Sequence, residues 1–130
     1  MVLSPMAAEF EPIVQMLKSV LSKHAAKLHV QRDTPGDYML LGNIPSPLPQ
    51  HKGTPMYFAQ VRAGKAYVAF HLMPLYMNEE LTATISPALK KRMQGKSCFN
   101  FKSAPEPELV KELKQLTDAG FKVFREKKWI

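Results

Sequence analysis

The chain has 130 residues, of which 45% are hydrophobic and 22% are charged, and its formal net charge is +7. This length suits one domain, residues 1–130, that buries about two thirds of its unfolded surface and needs no disulfide to fold. The composition is too apolar for intrinsic disorder, and charges interrupt it too often for a transmembrane helix. The first six residues show neither the basic region nor the apolar run of a signal peptide, so we expect a cytoplasmic protein.

The single cysteine, Cys98, excludes an internal disulfide and agrees with a reducing compartment. Three histidines, at positions 24, 29 and 51, show no close zinc-ligand spacing with Cys98 or with one another. We therefore predict no metal site and no cofactor.

Apolar residues recur at helical spacing near the N-terminus, which predicts an amphipathic helix. Pro12 fits a helix only in its first turn, so the regular part is expected at about 11–27. Short strands at 28–32 and 38–41 then flank a turn containing Pro35 and Gly36, which predicts a hairpin. Residues 43–55 contain four prolines and a glycine, and this composition predicts a long loop.

A second hairpin is predicted from strands at 56–62 and 65–73 around Ala63 and Gly64. A two-residue turn would pair Gln60 with Tyr67, Phe58 with Ala69 and Met56 with His71. A bulged three-residue turn would shift this pairing by one residue on one strand.

Strict alternation in residues 64–73 separates two unlike faces of one strand. Val68 and Phe70 belong to an apolar face, which should meet the helices, whereas Tyr67 and His71 belong to a mixed face. A mixed face that stays open is a candidate binding surface.

Two short helices follow, the first capped by Asn78 and the second running from Ser86 to a stop at Gly95. Alternation at 96–102 predicts a fifth strand. A last helix opens with acidic residues at 105–108 and closes with basic ones, and Gly120 predicts a kink or an early end. The predicted fold is an α+β two-layer sandwich: a mainly antiparallel five-stranded sheet with the N- and C-terminal helices on one face.

A run of bases without an acid could attract phosphate, nucleic acid or an acidic surface, or could simply be a solvated face; it comprises Lys90, Lys91, Arg92, Lys96 and Lys102. Residues 64–70 match part of the aromatic signature of RNA-recognition motifs, but Lys65 replaces one stacking aromatic and the order of elements differs. Nucleic acid is therefore not the expected partner, and no membrane is expected either.

Residues 66–72 and 95–102 resemble the paired core motifs of the YdhG-like family, and the resemblance covers roughly 54–124. It implies a topology similar to frataxin, with two helices on one side of an antiparallel sheet. Some members are labelled iron chaperones, so the resemblance implies an intracellular metal chaperone as an alternative function. Frataxin-type iron binding uses an acidic ridge on the first helix, whereas here Lys18, Lys23 and Lys27 outnumber the acids, which disfavours iron.

The mixed face supplies aromatic rings, amides, an imidazole and nearby cations, which suit a small anionic or aromatic ligand. The predicted ligand-binding residues are Phe58, Gln60, Tyr67, His71, Arg92, Lys96, Cys98 and Asn100. We predict a non-enzymatic binding module without catalytic residues. Two alternatives stay open beside the metal chaperone: a small enzyme with a pocket around His71, and a second small core covered by the proline-rich loop or by a partner subunit.

Overall fold

The computed structural model describes residues 5–130, with side chains from residue 10 onward. The cytoplasmic prediction was based on residues 1–6, and residues 1–4 of these lie outside the described residues. The helices are α1 (Pro5–Ser22), α2 (Met73–Met77), α3 (Glu79–Ala83), α4 (Pro87–Lys90) and α5 (Pro107–Glu126), and the strands are β1 (His29–Thr34), β2 (Asp37–Pro45), β3 (Pro55–Ala63), β4 (Val68–Leu72), β5 (Met93–Gln94) and β6 (Cys98–Phe101). No helix in this part of the chain is both long and apolar enough to cross a membrane.

The α+β class is confirmed, but within residues 5–130 the antiparallel sheet has six strands instead of five, in the order β1-β2-β3-β4-β6-β5. The additional strand is β5, whose Met93 and Gln94 pair with Phe99 and Cys98. Two residues are too few to show alternation, so the sequence could not reveal this strand. Gly95 does not stop a helix: α4 ends at Lys90, and Gly95 takes a φ of 75° in the turn between β5 and β6.

The N-terminal helix begins at Pro5 and ends at Ser22, so the predicted span of 11–27 was wrong at both ends. Pro12 lies inside α1 and not in its first turn. Its side chain is on the exposed side, where water can solvate the carbonyl that proline leaves without a donor. Beyond α1, Ala25–Lys27 form a short 3-10 helix.

Alternate residues of the central strands are buried with residues of α1 and α5 in one apolar core. Val68, Phe70, Phe99 and Phe101 have no exposed surface, and they belong to the same cluster as Leu17 of α1. Phe124 of α5 is also in that cluster. The prediction that Val68 and Phe70 point into the core is therefore confirmed.

The second hairpin has a longer turn than predicted. Gln60 pairs with His71 instead of Tyr67, and Val61 pairs with Phe70. The connection therefore has four residues, 64–67, and the amide of Gly64 donates to the Tyr67 carbonyl at 2.8 Å. Because the register moves by an even number of residues, Gln60 and His71 still share a face.

A β-bulge in β3 changes which aromatic residue reaches the open face. Leu40 pairs with Ala59 and Leu41 pairs with Tyr57, so Phe58 is one extra residue between them. Phe58 is fully buried, and its ring meets those of two phenylalanines of α5, Phe121 and Phe124, at centroid distances of 6.3 Å and 5.1 Å. The prediction that Phe58 lies on the mixed face was wrong, and the same holds for Met56, which is also in the core.

Gly120 does not end α5, which continues to Glu126. A Cβ at this position would lie 2.8 Å from Cγ and 2.9 Å from Cβ of Pro74 in α2. The glycine is therefore explained by the close approach of two helices, and the predicted early end was wrong.

Asp118 of α5 is held by the two residues that follow α1. One carboxylate oxygen lies 2.7 Å from Nε2 of His24 and the other 3.1 Å from Nζ of Lys23. His24 is buried and stacks on Phe121 with a centroid distance of 4.4 Å. Partial burial acts to raise the pKa of Asp118, but the bonds from His24 and Lys23 outweigh it and lower the pKa below its usual value.

This arrangement predicts a pH dependence of stability. A carboxyl group whose pKa is lowered by folding stabilises the protein above its unfolded pKa of about 3.9, and this stabilisation is lost as the pH falls through the folded value. We expect wild type to lose more unfolding free energy than Asp118→Asn between about pH 5 and pH 3. The difference should stay below about 1 kcal/mol, because the Asp118 side chain is 46% exposed. Urea unfolding at several pH values measures it, and identical pH dependence in both proteins would contradict the prediction.

Candidate functional site

The open face of the sheet presents two rows of side chains that run across the strands. Asp37, Arg62, Ala69 and Asn100 occupy neighbouring positions in the first row. Met39, Gln60, His71 and Cys98 form the second row. Most of these side chains are half-buried, in contrast to their fully buried neighbours along each strand. The face predicted from alternation therefore exists and remains accessible over β3, β4 and β6.

Tyr67 stands at the end of this face, in the turn that leads into β4. Its half-buried ring borders a depression of about 390 Å³ above Ala69, whose small side chain leaves the space. Gln60 and His71 line the same depression, together with Arg62 and the turn residues 64–66. The structure thus brings together three of the predicted residues: Gln60, Tyr67 and His71.

A second depression, of about 470 Å³, lies on the other side of Tyr67, above β5 and β6. Two predicted residues, Arg92 and Asn100, line it with Tyr67. Tyr67 therefore lies between two neighbouring depressions and lines both of them.

Five cationic side chains line these two depressions: Arg62, Lys65, Lys91, Arg92 and Lys102. Among the described residues, neither lining includes an aspartate or a glutamate. The nearest acid in the rows is Asp37, and its carboxylate already accepts hydrogen bonds from Gln60 at 2.7 Å and Arg32 at 3.1 Å. The surface on both sides of Tyr67 is thus electropositive, which favours an anion.

The two predicted amides are largely occupied by their neighbours. Gln60 donates to Asp37 and accepts from the Tyr57 hydroxyl at 3.1 Å. Asn100 donates to Gln94 at 2.5 Å and accepts from the Cys98 thiol at 3.4 Å. These bonds fix the floor of the site, so the groups that remain for a ligand are the Tyr67 ring, His71 and the cations.

Burial changes the titration of the central side chains. Burial lowers the pKa of His71, so its imidazole is mainly neutral at neutral pH. Burial raises the pKa of the Cys98 thiol, which is the opposite of the shift that an activated nucleophile needs. Burial, followed by the charges of Cys98 and Asp37, also raises the pKa of Tyr57. His71 and Cys98 are direct cross-strand neighbours, but the raised pKa of the Cys98 thiol disfavours nucleophilic attack.

Two predicted residues are not part of this surface. Phe58 is in the core, as described above. Lys96 lies at the opposite end of β6, where its Nζ sits 5.8 Å from the centroid of the Tyr76 ring in α2. The proline-rich loop is shorter than the predicted 43–55, because β2 extends to Pro45 and β3 begins at Pro55. Its residues 46–54 also lie at that far end, so the loop leaves Tyr67 and His71 uncovered.

Sequence reasoning missed several residues of the open face, among them Arg62 and Tyr57. Arg62 follows Gln60 at the spacing of one strand face, so the alternation that identified Gln60 would also have identified it. Tyr57 carried no such signal, because only the bulge at Phe58 turns it to the open side, where its ring lies 6.5 Å from that of His71.

Among residues 10–130, whose side chains the structure describes, no three His, Cys, Asp or Glu side chains gather as a metal-binding group. Comparison with protein-family models, curated proteins and solved structures found no match to this chain.

Proposed function

We propose that this protein is a non-enzymatic binding module that holds a small anionic ligand with a planar ring on the open sheet face beside Tyr67. The observation that supports this function most strongly is the position of the Tyr67 ring between two depressions lined by five cationic side chains. A ring of the ligand would stack on Tyr67, and its anionic group would meet the cations.

The size and exposure of the site fit this function. Depressions of about 390 and 470 Å³ fall within the range of small-molecule sites. Most of the cations are exposed, so salt should weaken binding through screening. The half-buried His71 adds a neutral group that can donate or accept a hydrogen bond at the floor.

The proposed function also depends on how the helices are arranged around the sheet. A two-layer sandwich, with both long helices on one side of the sheet, would leave the opposite face free for a ligand. Membership of the YdhG-like family stays a prediction based on the motifs at 66–72 and 95–102.

Adenosine monophosphate is a suitable probe, because it combines a planar base with a phosphate. We expect it to bind more tightly than adenosine or inorganic phosphate alone, as measured by calorimetry at low salt. Tyr67→Ala should weaken its binding by roughly 5- to 100-fold, the loss expected when a stacking ring is removed. Arg62→Gln and Lys91→Gln should weaken binding and also reduce its salt dependence.

Tyr76→Ala is the matched control, since Tyr76 is an exposed tyrosine beside a lysine but lies at the far end of the face. This variant should bind the probe as wild type does. Equal losses in Tyr76→Ala and Tyr67→Ala, or no binding of any of the three probes to wild type, would contradict the proposed function.

A further inference from the structure

The five cations of the open face fall into two separate groups, one in each depression. Arg62 of β3 and Lys65 of the following turn line the depression of about 390 Å³. Lys91 and Arg92, which precede β5, and Lys102, which follows β6, line the depression of about 470 Å³. The two groups therefore come from different parts of the chain, and this division favours a ligand with two separate anionic groups.

The positive charge of both groups is available to a ligand. None of the five cations forms an ion pair with a residue that the structure describes. Four of them are exposed: Arg62, Lys65, Lys91 and Lys102. The half-buried Arg92 has its guanidinium carbon 5.8 Å from the centroid of the Phe101 ring, so it already packs against the protein. Each depression thus presents two exposed cations.

This count of charges matches one phosphate group in each depression. A phosphate monoester carries about −1.5 to −2 charges at neutral pH, which two cations neutralise. Lysine and arginine both bind phosphate through charge-assisted hydrogen bonds. A carboxylate, with a single charge, would leave one cation of each pair without a partner.

Tyr67 lies between the two cation groups and lines both depressions. Among the described residues, neither lining contains a second tyrosine, a phenylalanine or a tryptophan. Proteins that bind single-stranded nucleic acid stack successive bases on several aromatic side chains. A single tyrosine between two cation groups instead suits one base that carries a phosphate on either side.

We propose that the ligand is a nucleoside bisphosphate, whose base stacks on Tyr67 and whose two phosphates occupy the two depressions. This inference rests on the function proposed for the open face and specifies the class of its ligand. The phosphates of such a ligand are attached at opposite sides of the ribose, so they can enter different depressions while the base stays on the ring.

Adenosine 3′,5′-bisphosphate is the probe, compared with adenosine monophosphate by calorimetry at low salt. We expect the bisphosphate to bind about 5-fold more tightly, the gain from exposed ion pairs with a second phosphate. Equal affinities would overturn this inference and leave the proposed function intact. Failure of both nucleotides to bind would instead contradict the proposed function itself.

Adenosine diphosphate tests the separation of the two phosphates, since it carries both of them at one end of the nucleoside. It should bind more weakly than the bisphosphate, because its phosphates cannot reach both depressions. If the diphosphate binds as tightly as the bisphosphate, one depression holds both phosphates and the inference is wrong.

Two double variants assign one phosphate to each depression. Lys91→Gln with Lys102→Gln removes the exposed cations of one depression, and Arg62→Gln with Lys65→Gln removes those of the other. In either protein the bisphosphate should bind no more tightly than the monophosphate, because its second phosphate has lost its partners. All four side chains are exposed, so both proteins should fold.

Lys114→Gln with Lys122→Gln is the matched control, because it removes the same net charge from exposed positions of α5. This protein should keep the roughly 5-fold preference for the bisphosphate. Loss of the preference in the control, or its persistence in either double variant of the open face, would overturn the inference.

A short single-stranded oligoadenylate separates the two sources of this chemistry, since each of its internal nucleosides also lies between two phosphates. We expect it to bind no more tightly than the bisphosphate, because only one base can stack on Tyr67. Binding at least about 10-fold tighter, with a steeper dependence on salt, would identify a nucleic acid strand and overturn the assignment of a small ligand.

Discussion

Phe58→Ala is expected to lower the free energy of unfolding by about 3–5 kcal/mol, the usual cost of truncating a buried aromatic ring. Phe58 has no exposed surface, and its ring packs edge-on against Phe124 at 5.1 Å. Removal of the ring would leave a cavity between β3 and α5 that the rigid sheet cannot close. Urea unfolding followed by circular dichroism measures the loss.

Tyr67→Ala is the control for this substitution, because Tyr67 is an aromatic residue of the same hairpin on the opposite face. We expect its unfolding free energy to stay within roughly 1 kcal/mol of wild type. The opposite pattern, with a stable Phe58→Ala protein that binds the anionic probe poorly, would place Phe58 on the binding face and refute the bulge.

Gly120→Ala is expected to destabilise the protein by about 1–2 kcal/mol, although alanine is the better helix former. Alanine would gain up to about 1 kcal/mol in helix propensity, whereas overpacking costs about 1–3 kcal/mol. The added Cβ would meet the Pro74 ring at 2.8 Å, and a proline ring cannot rotate away. Thermal and urea unfolding measure the change.

A double-mutant cycle tests the cause of this loss. Pro74→Ala combined with Gly120→Ala should recover part of the stability, because the smaller side chain makes room for the new methyl group. Gln115→Ala, at an exposed position of α5, should be neutral or slightly stabilising. A Gly120→Ala protein as stable as wild type would show that α2 and α5 can separate without cost.

Local patterns predicted those parts of the fold that depend on neighbouring residues. Alternation along β4 correctly separated the buried Val68 and Phe70 from the half-buried His71. Asn78 caps α3 as expected, with its side chain accepting from the amide of Leu81 at 3.1 Å. Gly36 takes a φ of 77° in the predicted first hairpin turn. These features can be predicted from the backbone preferences of single residues and from the periodicity of a strand or helix.

Other features depend on how distant segments meet, and the sequence could not predict them. Nothing in the sequence around Phe58 marks a bulge, since Tyr57 and Phe58 both suit a strand. Phe58 turns inward because its ring packs against Phe121 and Phe124 of α5, and Tyr57 is left on the open side. This packing exists only in the folded chain. Lys96 was misplaced for a similar reason: the turn at Gly95 carries it to the α2 end of β6, away from Arg92.

The contact between Gly120 and Pro74 also bears on the shape of an apolar groove of about 670 Å³ on the surface. Pro74 belongs to α2, which supplies Met73 and Met77 to the lining of that groove, so the spacing between α2 and α5 fixes where this side of the groove lies. The buried Gly120 thus governs the dimensions of a cleft on the surface. A substitution at this buried contact could therefore reshape the cleft and leave every residue that lines it unchanged.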